Sequence, residues 1–164
     1  MTRARKTIYI SIIVFITLIV IAYFFYTRVQ QNHFNDLSQA VQSAYEKTTM
    51  VKATRAEPSY GDEAYNIVFG DDKLGHPLIA WVSAQGVHTE FVDKIFSEEQ
   101  VKSKMKERGE NIEILRILPN KLQGHYVWEV FYKQEIPKES DKYFYDYYNI
   151  TDGSLVDTYR LSLQ

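Results

Sequence analysis

WVSAQG at residues 81–86 and YNITDG at residues 148–153 are the two stretches whose comparison decides the fold. Each begins on an aromatic residue and closes on a glycine after polar residues, the local signature of a turn between antiparallel strands. Upstream of them, Tyr65, Ile67 and Phe69 recur as Trp128, Val130 and Tyr132. The second set lies 63 positions after the first, and the two glycine-closed stretches lie 67 apart. Gly86 and Gly153 therefore occupy the same place in two series.

Four strand-like runs make up each series. The first comprises residues 50–59, 63–70, 77–84 and 87–94, and the second 112–119, 126–134, 143–150 and 155–162. A helical pattern precedes each. Leu37, Ala40, Val41, Ala44 and Tyr45 fall at i, i+3, i+4, i+7 and i+8, one apolar stripe that Phe34 extends backwards. The second helix is marked by Ser97 as N-cap with Gln100 three residues on, a Phe96/Val101 staple, and Gly109 as its stop. Its narrow apolar face is Val101 and Met105. One unit of about 60 residues, a helix and a four-stranded antiparallel meander, thus occurs twice, and units so small are expected to pack on each other.

Ahead of the repeat, the segment 8–26, which opens on Ile8 and closes on Tyr26, holds 19 residues without a charge. At 1.5 Å per residue it predicts a helix spanning a bilayer core of roughly 30 Å. Arg3, Arg5 and Lys6 would keep the N-terminus cytoplasmic and put the remainder outside, as a single-pass protein. No small-x-small cleavage site follows. The expected division is a cytoplasmic end at 1–7, a transmembrane helix at 8–26, and domains at 34–95 and 96–164.

The chain has 164 residues, a net charge of −2 and no cysteine. Disulfides, thiolate metal sites and cysteine nucleophiles are excluded. Residues 27–164 carry 16 basic and 21 acidic groups, which argues against nucleic acid as a partner. Ser103 to Lys106 matches S-x-x-K, but the companion motifs of penicillin-binding enzymes are absent and the four residues read as a solvated helix face. Asp62-Glu63 and Asp71-Asp72 read as turn carboxylates. His33, His76, His88 and His125 lack the close spacing of zinc ligands. No catalytic residue, cofactor, metal or small-molecule substrate is expected.

In KYFYDYYNITDG, residues 142–153, strand alternation gives Tyr148 and Ile150 to the helix-facing core beside Trp128 and Val130. Tyr143, Tyr145 and Tyr147 then line the opposite face, either as sheet cover or as a candidate protein-binding surface.

SYGDEAYNIVFG and IAWVSAQGV in the first unit, with HYVWEVFYKQ and YYNITDGSLVDTY in the second, resemble the PepSY and cystatin-like module. In tandem behind an N-terminal helix they are similar to the YpmB/TseB-like family of Gram-positive bacteria. That resemblance implies an α+β fold, a transmembrane helix followed by two cystatin-like domains, TseB-like and then PepSY. It implies a non-enzymatic, membrane-anchored extracytoplasmic protein that supports cell-wall elongation by binding a class B penicillin-binding protein. The alternative it implies is a PepSY-type binder or inhibitor of extracytoplasmic peptidases. Asn149 and Asp152-Gly153 depart from the acidic residue and Thr-Gly turn common in PepSY domains.

Overall fold

The computed structural model describes the backbone of residues 3–109, 111–136 and 140–162, with side chains for all of these except 3–12 and 25–35. The chain divides into two compact units, Met1–Ser38 and Gln39–Gln164.

Helix α1 runs from Arg3 to Lys47 and supplies all of the first unit that is described. Thr17 Oγ1 donates to the Ile13 carbonyl at 2.9 Å, returning its hydroxyl to the preceding turn. The expected bilayer crossing is corrected here. Among the described residues no helix is long and apolar enough to cross a membrane. The apolar stretch with described side chains is 13–24, twelve residues that rise about 18 Å, well short of a hydrocarbon core near 30 Å. The remaining positions of the expected span, 8–12 and 25–26, lie outside the described side chains, as do Phe34 and His33. The transmembrane helix, the single-pass orientation and the localisation derived from them fall together.

The second unit holds two four-stranded antiparallel meanders. The first sheet orders β1 (Met50–Tyr60), β2 (Ala64–Asp72), β3 (Pro77–Ser83) and β4 (Gly86–Phe91). A 3₁₀ turn, Val92–Lys94, leads to helix α2, Glu98–Glu107. The second sheet orders β5 (Ile112–Leu122), β6 (His125–Gln134), β7 (Lys142–Asn149) and β8 (Leu155–Leu161).

Local chemistry fixes the joints. Ser97 Oγ accepts from Gln100 N at 3.3 Å while the Gln100 side chain accepts from Ser97 N at 2.7 Å, a complete capping box for α2. Gly153 has φ +68°, a left-handed conformation suited to glycine, and a Cβ there would meet the Phe96 ring at 2.7 Å. The β5–β6 turn likewise uses positive φ at Gln123 and Gly124.

Register sorts the side chains by face. In the second sheet Trp128 pairs with Tyr148, Val130 with Asp146 and Tyr132 with Phe144 on one face. Glu129 pairs with Tyr147, Phe131 with Tyr145 and Lys133 with Tyr143 on the other. The first face joins Val101 and Met105 of α2 in a common core with Tyr65, Ile67, Ile79 and Trp81 of the first sheet. Tyr148 and Ile150, expected in the helix-facing core, lie there at 1% and 3% exposure.

The end of α1 behaves differently from α2. Ala40 and Ala44 pack on Val68, Leu78, Ala80 and Val82, with Met50, Ala53 and Ala56 beside them. This is the opposite face of the first sheet from Ile67 and Trp81, so the two helices of the repeat cover non-equivalent faces. Side-chain size accounts for it. Gly70, Ala53, Ala56 and Ala80 leave a shallow surface onto which an alanine stripe fits closely, whereas the other face carries Trp81, Tyr65 and Phe69.

A candidate protein-binding face

The face of the second sheet equivalent to the one under Ala40 and Ala44 is lined by Phe131, Tyr143, Tyr145 and Tyr147. Val68 corresponds to Phe131, Leu78 to Tyr145 and Ala80 to Tyr147, so aliphatic residues in one repeat are aromatic in the other. Phe131 stacks on Tyr145 at 4.7 Å and on Tyr143 at 5.9 Å between centroids. Tyr145 and Tyr147 stack at 6.5 Å, and Tyr147 meets Tyr159 of β8 edge-on at 5.8 Å. The result is a rigid aromatic row, half-buried by its own stacking.

Beneath it lies Glu129, 6% exposed, which accepts from Arg116 at 2.5 Å and Asn120 Nδ2 at 2.9 Å. Burial, reinforced by the Glu129 carboxylate, raises the Tyr147 hydroxyl well above the ordinary tyrosine range. Tyr159 is raised by its hydrogen bond and proximity to Asp157. A depression of about 280 Å³ opens between this row and the end of β1, lined by Pro58, Ser59, Tyr60, Arg116, Glu129, Tyr145 and Tyr147. All three tyrosines proposed from sequence therefore share one face, and two of them border the depression.

On the core face, Asp146 is fully buried and accepts from Thr158 Oγ1 at 2.7 Å, Tyr148 OH at 3.1 Å, Tyr132 OH at 3.4 Å and the Arg108 guanidinium. Arg108, the C-cap of α2, also donates to Tyr148 OH at 3.1 Å. The carboxylate thus ties α2, β6, β7 and β8 together with every donor supplied by the protein, the condition under which a buried charge is tolerated. Sequence reasoning gave Asp146 no role, although an acid among inward-facing aromatics was the signal.

Equivalent turns of the two repeats meet at a polar seam. Asp62 accepts from the Gln123 and Gly124 amides, both at 2.7 Å, and donates its own amide to the Lys121 carbonyl at 3.0 Å. Ser59 Oγ donates to Pro119 O at 3.0 Å and Asn120 Nδ2 to Tyr60 O at 3.1 Å. Gly61 fits because a Cβ would come within 2.0 Å of Lys121 O. Close by, His88 stacks on Tyr126 at 3.9 Å and Trp81 meets Tyr126 at 5.2 Å.

The other polar motifs lie in turns and on the α2 surface. Ser103 and Lys106 are exposed on α2. Asp72 caps its turn, accepting from Leu74 N at 2.8 Å and His76 N at 2.9 Å, contacts that hold its carboxyl below the usual range. His76 pairs with Asp72 and His88 with Glu90. Among the described residues no three metal-ligating side chains come together.

Two helix-covered antiparallel meanders, joined through a shared core and carrying one aromatic face, define a class of small tandem α+β module. The particular family comes from comparison. Residues 39–83 match the Cell wall elongation regulator TseB-like domain. The solved structure of the YpmB protein from Bacillus subtilis superposes with a TM-score of 0.66 at 24% identity, over 76% of this chain and 96% of that one, a likeness of fold. No curated protein sequence matches. The chain resembles the YpmB/TseB-like, PepSY-related family. The matched domain is that of a regulator, and the reading of the chain as non-enzymatic rests on that likeness. The expectation of a class B penicillin-binding protein held through a membrane anchor is set aside. It needed a spanning helix that the described residues do not contain, and neither likeness names such a partner.

Proposed function

We propose that this chain is a PepSY-type binder or inhibitor of extracytoplasmic peptidases, with Tyr143, Tyr145 and Tyr147 as its contact surface. Two domains, 34–95 and 96–164, belong to the same proposal, the second presenting the face and the first bracing it. The observation that carries the reading is the contrast between equivalent faces. Where the first sheet has glycine and alanine under a helix, the second has a stacked tyrosine row that no helix covers among the described residues. Tyrosine offers large contact area and a hydroxyl with little rotamer entropy to lose, which suits it to recognition.

The test uses the full chain in detergent-containing buffer against a panel of secreted peptidases. The wild-type chain should inhibit or co-purify with at least one of them. The Tyr143→Ala/Tyr145→Ala/Tyr147→Ala variant, checked for native circular dichroism, should lose that interaction by more than tenfold. A folded triple variant that binds as well as wild type, or a panel with no binder, rejects the proposal.

A further inference from the structure

We propose that the outer edge of β8 takes up an extended, arginine-bearing segment of the partner protein as a fifth strand of the second sheet. This rests on the peptidase-binding reading above and specifies its mode.

The first ground is the edge itself. β8 pairs with β7 along Leu155 to Leu161, and among the described residues no strand pairs with its other side. Half of its amides and carbonyls therefore face outward, a template for another chain. Natural edges are usually guarded by lysine, proline, shortness or a covering element. β8 has seven residues with neither lysine nor proline; its charges are Asp157 and Arg160, and a register shift between Leu155 and Asp157 leaves Asp157 to Leu161 as the regular part of the edge. Leu155, Val156, Tyr159 and Leu161 are 39–51% exposed. The edges of β1 and β5 instead approach each other at the seam through Ser59 and Asn120.

The second ground is charge. A strand added beside β8 would lie about 4.8 Å away, and every second side chain would fall on the aromatic face. There it would meet Tyr159 and Leu161 of β8, with Tyr147 one strand further in. The acid open to a ligand on this face is Asp157, beside the Tyr159 hydroxyl, since Glu129 beneath Tyr147 is buried and held by Arg116 and Asn120. Arg116 is engaged by Glu129, and Lys133 by Glu113, Glu135 and Asp141. The tyrosine rings and Asp157 thus select a cation with a flat face. Arginine stacks on tyrosine and forks onto a carboxylate, and lysine does so less well. Main-chain pairing would supply affinity, and the alternating arginines specificity.

The experiment uses the full chain with two seven-residue peptides, acetylated and amidated. One alternates arginine with threonine, and the other has glutamate in place of arginine. The arginine peptide should bind at least tenfold more tightly than the glutamate peptide. At saturation it should slow amide exchange in residues 155–161 at least fivefold, and Asp157→Asn should weaken it three- to tenfold. Equal affinity of the two peptides, binding by neither, or unchanged exchange in β8 overturns the proposal. If the tyrosine triple variant loses its peptidase while β8 exchange responds to neither peptide, the edge mode is wrong and the peptidase reading stands. If the peptides discriminate but the triple variant keeps its peptidase, the edge stands and the tyrosine contact falls.

Discussion

Replacing Asp146 with alanine should unfold this protein more readily than any other single change of a polar residue. Its carboxylate is fully buried and accepts from four side chains, Thr158, Tyr148, Tyr132 and Arg108. Breaking a buried ion pair from one side costs about 3–5 kcal/mol, because the remaining charge is stranded. Here the stranded group is Arg108, whose side chain is 38% exposed and can turn to water, so the lower part of that range applies. Tyr148 OH keeps a contact to Met105 Sδ at 3.2 Å, which limits its loss. The expected cost is about 3 kcal/mol, with Asp146→Asn nearer 2 kcal/mol because shape and some acceptor capacity survive. Urea unfolding followed by tryptophan fluorescence measures it. With a slope near 2 kcal/mol/M, the alanine variant should shift the midpoint by about 1.5 M. A loss under about 1 kcal/mol for Asp146→Ala would refute the view that this carboxylate holds α2 on the sheet.

Other predictions follow from single contacts. Gly75→Ala and Gly153→Ala both place a side chain at positive φ, but only at Gly153 does a Cβ strike a ring, that of Phe96. The first should cost about 1 kcal/mol and the second at least twice that in thermal or urea unfolding. Ala44→Leu, at a fully buried position under the first sheet, should destabilise by about 1–3 kcal/mol through overpacking, while the exposed Glu46→Ala should be silent. Asp72 titrates below its ordinary value in the folded chain because the His76 and Leu74 amides bond its carboxylate. Its contribution is therefore present above about pH 4 and lost as pH falls through the depressed value. Asp72→Asn should flatten that acid limb in a pH series of unfolding midpoints. In alkaline spectrophotometric titration, Tyr65, held up chiefly by burial and by Glu63, should ionise well after the exposed tyrosines.

Much of the second sheet was legible because strand alternation is a two-residue rule that needs no tertiary knowledge. Trp128, Val130 and Tyr148 announced one face, and Tyr143, Tyr145 and Tyr147 the other. The α2 boundaries were equally plain, since Ser97 and Gln100 satisfy each other's amides within four residues. What distance in sequence hides was not legible. The donors to Asp146 come from positions as far apart as Arg108 and Thr158, and no local pattern joins them. The side chosen by the end of α1 was hidden for another reason. The repeat suggested equivalence, but the choice depends on Gly70 and Ala80 being small where Lys133 and Tyr147 are large. The membrane expectation rested on hydropathy at 8–26, and the described portion of that segment does not reach the required length.

The seam at Asp62 bears on what a duplicated chain can do that two separate chains cannot. Its polar contacts set the register of two equivalent turns, while the shared core of Tyr65, Ile67, Ile79 and Trp81 with Trp128, Val130 and Tyr148 supplies the apolar burial between the repeats. Covalent linkage through the Val92–Lys94 turn and α2 presents the two turns to each other at an effective concentration in the millimolar range. Under that condition core and seam close together almost completely. Cutting the chain between Lys94 and Ser97 should therefore make the association of the halves concentration-dependent without altering any residue in the seam.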